Sequence, residues 1–369
     1  MKIYIIGNYN LLNSKSMPLY ANTLKKLLIK SHKVQILEPK ILLNKFNFKK
    51  KFIRKWIGYI DMYILFGIYL YFKIKKNDLV HICDQANSLL FPFIRTKKLI
   101  ITCHDLISIE LLKNNFLKKF NKISFMGKVY QKIIFFYLKK FKIIICVSQK
   151  TKEDLLKMIK INNKKIYVVH NTFNKKFSKL NKQQRIKFLK REKINYPYFL
   201  HIGINWYKNR ENLIKIFYQF IKVERRKNFK LILIGNSMTN NLKKLIIKLR
   251  LKDKIKLIQN PNFSELRSYY SSAEALIYPS IREGFGWPII EAQKCGCPVF
   301  TTNKGPMNEL GLDTVFYIDP IRSKISSKII DKKLLCKEII INKGFENVKR
   351  FNAKIFINKM KNIYNKVPN

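Results

Sequence analysis

The alternation of short apolar runs with longer amphipathic stretches is the feature that most constrains the fold of this 369-residue chain. Parallel strands covered by helices on both faces give this pattern, because such strands are buried on both sides while each helix exposes one face. The pattern runs through the first half of the chain and then starts again. The sequence therefore predicts an α/β fold with two doubly wound domains, which also suits the length.

The strand candidates are apolar runs, six in each half of the chain. In the first half they are residues 2–6, 33–37, 78–82, 99–103, 143–147 and 166–169. In the second half they are residues 198–202, 230–234, 254–258, 275–278, 298–301 and 315–318. The stretch 174–197 is polar, rich in Lys and free of such a run, so the domain boundary is predicted there. We expect domains at 1–178 and 179–350, and a helix over 351–369 that returns to the first domain.

The charge is strongly basic, with 75 Lys and Arg against 22 Asp and Glu and a net charge of +53. Such a charge raises nucleic acid or an anionic membrane as a partner. The excess, however, is mostly Lys, is spread over the whole chain and accompanies abundant Ile, Asn, Phe and Tyr, as an adenine- and thymine-rich genome would produce. No recognised nucleic-acid-binding motif is present. We predict no nucleic-acid partner, and a basic nucleic-acid-binding protein is kept as a rival hypothesis.

The cysteines and the apolar segments indicate a cytoplasmic protein. Cys295 and Cys297 are one residue apart, which is not metal-ligand or redox spacing, and all six cysteines lie in or beside apolar runs. We expect buried free thiols in a reducing compartment. The N-terminal apolar run is too short for a secretory signal. Residues 56–72 are strongly apolar, but about 17 residues with Asp61 inside predict a buried helix of a globular domain rather than a membrane span.

The segment 279–298 reads as a strand end, a loop, a short helix and the start of the next strand. Pro288 suits the first helical turn, Gly296 suits the position just past the helix end, and Pro298 prevents continuation. Ligands of doubly wound sheets bind beyond the carboxyl ends of the strands, so this loop is a candidate binding site.

The start of this helix is predicted to bind a diphosphate. Gly284 and Gly286 allow close approach of a ligand, and the helix N-terminus is positive. The backbone N–H groups expected to face the ligand belong to Phe285, Gly286 and Trp287. Glu291 lies about one turn into the helix, where its carboxylate can accept hydrogen bonds from two vicinal hydroxyls such as those of a ribose. Glu283 precedes the loop and faces the same space.

The stretch from Glu283 to Ala292, with the sequence EGFGWPIIEA, resembles the Glu-x7-Glu motif of glycosyltransferase family 4. The resemblance implies a GT-B fold, in which two Rossmann-like domains face a cleft. It also implies retaining transfer of a sugar from a UDP- or GDP-linked donor to a glycan or lipid-linked acceptor, in bacterial-type cell-surface polysaccharide synthesis. In that family the second glutamate holds the donor ribose and the first contacts the transferring sugar, which gives those roles to Glu291 and Glu283.

Other segments of the chain carry the same resemblance. The element around His104 resembles the His-Asp element of the family's first domain, which implies that His104 hydrogen-bonds the donor sugar or the departing phosphate. The alternative is a structural histidine that satisfies a backbone carbonyl. After the strand that ends near Gly203, Lys208 matches the family's phosphate-binding Lys, and Arg210 could add a second cation. Many members place an Arg directly after the glycine, where this chain has Ile204.

Metal use is predicted to be absent. No two aspartates form the Asp-x-Asp pair that a Mg²⁺- or Mn²⁺-dependent transferase typically uses to hold the diphosphate. Lys208 and helix N-terminal amides can take over the charge neutralisation, so no cofactor is expected. A GT-B epimerase acting on a nucleotide sugar is kept as an alternative activity.

The segment from Phe116 to Lys140 predicts peripheral contact with an anionic membrane. It places seven lysines among Phe, Ile, Met and Tyr, and as a helix it would be both basic and apolar, as interfacial helices are. The alternative is an ordinary domain helix that shares the general Lys bias.

Overall fold

The computed structural model describes residues 2–9, 16–46, 51–159 and 166–367. They form two compact units. The first unit runs to Asn171 and includes the C-terminal segment from Ala353, and the second is Thr172–Asn352.

The first unit contains a six-stranded parallel sheet in the order β2-β1-β3-β4-β5-β6. Its strands are β1 Lys2–Ile6, β2 Lys33–Leu37, β3 Leu79–Ile82, β4 Leu99–Cys103, β5 Ile143–Cys146 and β6 Ile166–Val168. Its helices are α1 Ser16–Leu28, α2 Lys51–Tyr59, α3 Phe66–Lys73, α4 Ile107–Lys113, α5 Asn115–Lys118, α6 Phe125–Leu138 and α7 Gln149–Met158. A π-helical turn, Ile60–Leu65, joins α2 to α3, and 3-10 helices cover Leu43–Phe46 and Gln85–Phe93.

The second unit contains another six-stranded parallel sheet, in the order β12-β11-β10-β7-β8-β9. Its strands are β7 Tyr198–Ile202, β8 Lys230–Ile234, β9 Ile255–Ile258, β10 Ala275–Tyr278, β11 Val299–Thr302 and β12 Phe316–Ile318. Its helices are α8 Lys182–Arg191, α9 Arg210–Ile221, α10 Asn240–Lys248, α11 Phe263–Ser272, α12 Trp287–Lys294, α13 Met307–Gly311, α14 Ser323–Lys333 and α15 Lys337–Asn347. Each predicted strand run is confirmed, with its ends within one residue.

Both sheets are buried on their two faces, as the apolar strand runs require. In β1, for example, Ile3 and Ile5 belong to one apolar cluster, while Tyr4 and Ile6 belong to another. The side chains alternate across the sheet, and helices cover both sides. The α/β fold class inferred from the sequence is therefore confirmed.

The last helix, α16 Ala353–Asn365, packs in the first unit. Its buried face includes Phe356, Met360 and Tyr364. The Tyr364 hydroxyl lies 2.7 Å from Nδ1 of His81, a fully buried side chain in β3. Burial lowers the pKa of His81 to about 3, so the ring is neutral at pH 7 and serves as a hydrogen-bonding part of the core.

The boundary between the units differs from the predicted positions 178 and 350. The second unit begins at Thr172 because Phe177 is fully buried in its core and the Ser178 carbonyl oxygen accepts a hydrogen bond from Nε of Arg267. The polar stretch 174–197 is therefore already part of the second unit and forms α8, and that unit extends to Asn352.

Residues 56–72 are helical, but the prediction of a buried helix is wrong for one face. Met62, Phe66 and Leu70 are buried, whereas Ile64 and Phe72 are exposed. Apolar composition alone did not reveal which face the sheet covers. In the part of the chain that the structure describes, no helix is long and apolar enough to cross a membrane.

Two further expectations are corrected. The segment 116–140 is not one helix, because α5 ends at Lys118 and α6 begins only at Phe125, where the Ser124 side chain accepts a hydrogen bond from the Gly127 N–H. All six cysteines are free and five are buried, but Cys336 is exposed, since it lies in a short 3-10 turn on the surface between α14 and α15.

Candidate active site

The candidate site lies where the strand order of the second sheet reverses. Strand β7 lies between β10 and β8, so the chain winds outwards in one direction from β7 and in the other from β10. The connections that follow β7 and β10 diverge to opposite faces, which leaves a crevice at the carboxyl ends of these two strands. All the charged side chains described next follow one of these two strands.

Gly203, directly after β7, makes room for a lysine. Its φ is +106°, and a Cβ at this position would lie 2.8 Å from Cε of Lys208. Another residue would meet both backbone strain and the lysine side chain. The glycine therefore allows Lys208, which sits in the short 3-10 helix Trp206–Lys208, to lie against the end of β7.

Lys208, Glu283 and Tyr278 form a buried triangle. The Lys208 ammonium donates to Oε1 of Glu283 at 2.7 Å, and the Tyr278 hydroxyl donates to the same oxygen at 2.6 Å. The ammonium also donates to the Tyr278 hydroxyl. Burial raises the pKa of Tyr278 well above its ordinary value, so the phenol keeps its proton at neutral pH. Two of the predicted site residues, 75 positions apart, are thus in direct contact.

Glu291 lies in α12, about one turn from its start, and has its own tyrosine partner. The Tyr270 hydroxyl donates to Oε2 of Glu291 at 2.9 Å. Burial raises the pKa of Glu291 to about 7, although the hydrogen bond from Tyr270 and the positive charge of Lys208 both act to lower it. Lys208 is therefore close enough to act on both glutamates, and Glu291 changes its charge near neutral pH.

The start of α12 has the geometry that the sequence predicted. Gly286 precedes the helix with a φ of +108°, which a residue with a side chain adopts only under strain, and no side chain caps the helix. Pro288 lies in the first turn, and Gly296 follows the helix end with a φ of +70°. The positive end of the helix dipole therefore lies on the loop formed by Gly284, Phe285, Gly286 and Trp287.

Arg210 does not join this cluster. Its Nη1 donates to the Ser237 carbonyl oxygen at 2.9 Å, and its Nη2 donates to that of Ile234 at 3.0 Å. Burial lowers the pKa of its guanidinium to about 10. The guanidinium fork expected for the diphosphate instead binds carbonyl groups at and after the end of β8, because Arg210 is buried at the start of α9 within hydrogen-bond distance of both oxygens.

His104 follows β4 in the first unit, as predicted. Its Nε2 lies 2.8 Å from the Cys83 carbonyl oxygen, to which it donates, and its backbone N–H donates to Oε1 of Gln85 at 2.8 Å. This is the carbonyl contact of the structural alternative. Burial lowers the pKa of His104, so the ring is neutral at pH 7 and its Nδ1 carries a lone pair. Its contact with the donor sugar stays a prediction.

Tyr270 and Tyr278 are the site residues that sequence reasoning missed. Tyr278 is the last residue of β10, and a polar group at the carboxyl end of a central strand was a usable signal. Tyr270 lies in α11, in the apolar core, and nothing near it in the sequence indicates a glutamate partner. Among the residues described, no group of three or more His, Cys, Asp or Glu side chains could hold a metal ion.

Comparison with protein families gives consecutive matches over both units. Residues 20–176 match the sequence model described as Glycosyltransferase Family 4, and residues 182–339 match the one described as Glycosyl transferases group 1. The chain is also 32% identical over 235 residues to the O-antigen chain mannosyltransferase RfbU of Salmonella typhimurium. That match spans 61% of this chain and 61% of the relative.

Solved structures are similar to this chain over nearly its full length. The sucrose-phosphate synthase of Thermosynechococcus elongatus matches with a TM-score of 0.78 at 16% identity, over 99% of this chain and 98% of that one. HepE of Anabaena, solved in complex with UDP and glucose, matches with a TM-score of 0.74 at 16% identity, over 99% of each chain. At this identity the likeness concerns the fold, which is GT-B with two Rossmann-like units.

Proposed function

Because the chain belongs to the family 4, group 1 glycosyltransferases, we propose that it transfers a sugar from a nucleoside-diphosphate donor, UDP- or GDP-linked, to a glycan or lipid-linked acceptor. The observation that carries the proposal is the arrangement of Lys208, Glu283 and Glu291 beside the start of α12, at the carboxyl ends of β7 and β10. A cation and a helix N-terminus suit a diphosphate, and two carboxylates suit the hydroxyl groups on either side of it.

The roles follow from charge. Lys208 and the positive end of α12 neutralise the diphosphate, Glu291 accepts from the ribose hydroxyls, and Glu283 contacts the transferring sugar. Lys208 is paired with Glu283. A diphosphate competes for the ammonium, and Tyr278 then keeps one hydrogen bond on the Glu283 carboxylate. Tyr278 is therefore a positioning residue for both groups.

Transfer breaks the bond between the anomeric carbon and the diphosphate oxygen and forms a bond to the acceptor hydroxyl oxygen. We infer retention, with attack on the face that the diphosphate leaves and the acceptor proton passing to the departing diphosphate. Negative charge develops on the leaving group, so fixed positive groups supply much of the rate. In this proposal Lys208 and the α12 amides do the work of a metal, and no metal takes part.

We further propose that the acceptor belongs to cell-surface polysaccharide synthesis and that the protein works in the cytoplasm at an anionic membrane. The relative from Salmonella is named as an O-antigen mannosyltransferase, which supports a glycan acceptor. The segment 116–140 supports the proposed contact with a membrane, since its lysines are exposed together with Phe125 and Phe136. Each Lys near an anionic leaflet contributes about 1 kcal/mol.

The test is a donor screen in which UDP- and GDP-sugars are incubated with candidate acceptors and products are identified by mass. The proposal expects a sugar-sized mass gain on the acceptor, stereochemical retention by NMR, and loss of the product with Glu283→Ala. An epimerase would change the donor with no acceptor present. A nucleic-acid-binding protein would show binding that falls steeply with salt, whereas a nucleotide site persists at high salt. Either of the last two results would replace the proposal.

A further inference from the structure

The helical segment Lys51–Lys73 carries an apolar stripe on its outward side. Helix α2, the π turn and α3 follow one another without a break, since Tyr59 and Phe66 both have helical backbone angles. The exposed members recur every three or four residues and are Ile53, Trp56, Ile60, Ile64, Ile68 and Phe72. Phe72 is 79% exposed. A contiguous exposed apolar row of this kind marks an interaction surface.

The π turn keeps the stripe on one side of the helix. In an α-helix of 3.6 residues per turn, a four-residue step overshoots a full turn, so a row with this spacing would wind around the axis. The π turn has more residues per turn because its hydrogen bonds run from i to i+5. The steps from Ile60 to Ile64 and Ile68 therefore return to nearly the same face. From Ile53 to Phe72 the stripe is roughly 25 Å long.

The exposed charged side chains within the helical segment and directly after it are cations. The exposed cations Arg54 and Lys55 lie near its start, and Lys73, Lys75 and Lys76 lie near its end. The one acidic residue between positions 51 and 77 is Asp61. It is buried and accepts hydrogen bonds from the Tyr9 hydroxyl and the Leu43 N–H. An apolar row bordered by cations and free of exposed carboxylates fits an anionic lipid surface.

The helical segment that carries the stripe packs against α6, which belongs to the basic segment 116–140. The ring of Tyr59 stacks on that of Tyr130 in α6 with 5.4 Å between centroids, and the hydroxyls of Tyr63 and Tyr130 are 2.6 Å apart. Helix α6 itself exposes Phe125, which is 76% exposed, and Phe136. Two neighbouring elements of the same unit thus expose apolar and cationic groups together.

We propose that the stripe from Ile53 to Phe72 inserts into the headgroup region of an anionic bilayer, as an apolar contact next to the electrostatic contact of segment 116–140. This inference deepens the membrane attachment proposed above and does not depend on the transfer reaction. A second copy of the chain fits the stripe less well. A self-complementary contact would bring the cations of both copies together, and opposing carboxylates are absent from the stripe's borders.

The experiment uses the full chain and vesicles whose acyl chains are brominated near the glycerol end, because bromine quenches tryptophan over short distances. Trp56 lies in the stripe, whereas Trp206 and Trp287 belong to the second unit. We expect anionic vesicles to quench part of the emission, and Trp56→Phe to remove that part while co-sedimentation stays close to wild type. Quenching that survives in Trp56→Phe would overturn the inference.

The paired variant Ile64→Asp with Ile68→Asp tests insertion directly. Both side chains are exposed, so we expect the fold to persist, with at least a tenfold weaker partition into anionic vesicles. The matched control is Ile247→Asp with Leu335→Asp, two apolar side chains of the second unit that are at least as exposed, and it should partition like wild type.

Three results would refute the inference, and each is separable from the proposed reaction. The Asp pair could partition like wild type, the wild type could bind neutral and anionic vesicles equally, or the chain could form a dimer that the Asp pair dissociates. A triple variant, Lys118→Glu with Lys119→Glu and Lys122→Glu, tests the lysines separately. If this variant loses vesicle binding and the Asp pair keeps it, attachment is purely electrostatic and the stripe is not used. UDP binding to the Asp pair, measured in parallel, reports on the nucleotide site independently.

Discussion

Tyr278→Phe should slow sugar transfer while leaving the fold intact. The ring of Tyr278 is fully buried and phenylalanine fills the same space, so the change removes the hydroxyl alone. That hydroxyl donates to Glu283 at 2.6 Å and accepts from Lys208. A hydrogen bond to a charged group contributes about 1.5–3 kcal/mol. The expected loss in kcat/KM is therefore about 10- to 150-fold.

The loss should fall mainly on kcat, since the proposed role of Glu283 is at the transferring sugar rather than at the nucleotide. Steady-state kinetics with the donor found in the screen would separate kcat from KM, and thermal unfolding would check the fold. The companion variant Tyr270→Phe makes the same change at Glu291 and should instead raise the KM for the donor.

Tyr269→Phe is the matched control. The Tyr269 hydroxyl also donates to a carboxylate, that of Glu192 at 2.8 Å, but this pair is not part of the proposed site. Its kinetics should match those of the wild type. A folded Tyr278→Phe protein whose kcat/KM lies within twofold of the wild type would refute the positioning role.

Three other predictions concern the same site. Glu291→Ala should raise the KM for the donor. Glu283→Ala should lower kcat by a larger factor than it raises KM. Wild-type kinetics in both variants would contradict the site assignment. Burial raises the pKa of Glu291 from 4.5 to about 7, so above pH 7 the side chain is mostly an ionised carboxylate that accepts hydrogen bonds from the ribose hydroxyls. Calorimetry should therefore show that the affinity for UDP or GDP rises from pH 6 to pH 8. Glu291→Gln should flatten this profile. The same pKa shift makes the free energy of unfolding depend on pH. The contribution of Glu291 to that free energy is fully present below about pH 4.5 and is lost as the pH rises through 7. Transfer should continue with excess chelator, and activity that is lost and then restored by Mg²⁺ or Mn²⁺ would contradict the metal-independent mechanism.

The sequence by itself determined the strands and the loop that carries the candidate site. The apolar runs predicted each strand, and Pro288 and Gly296 marked the limits of α12. Such features are local, because a buried strand or a helix end restricts the residue types within a few positions. The Glu-x7-Glu spacing is local in the same sense, and so Glu283 and Glu291 were found without the structure.

The tertiary structure decided which side chains meet. The contact of Lys208 with Glu283 depends on β7 lying beside β10 in the sheet. The contact of Tyr270 with Glu291 depends on α11 packing against α12. Strand order is set by packing of the whole unit, and residues 75 positions apart carry no local sign of it. Arg210 shows the opposite case, because the sequence offers a favourable cation whose guanidinium instead binds the carbonyl groups of Ile234 and Ser237, at and after the end of β8.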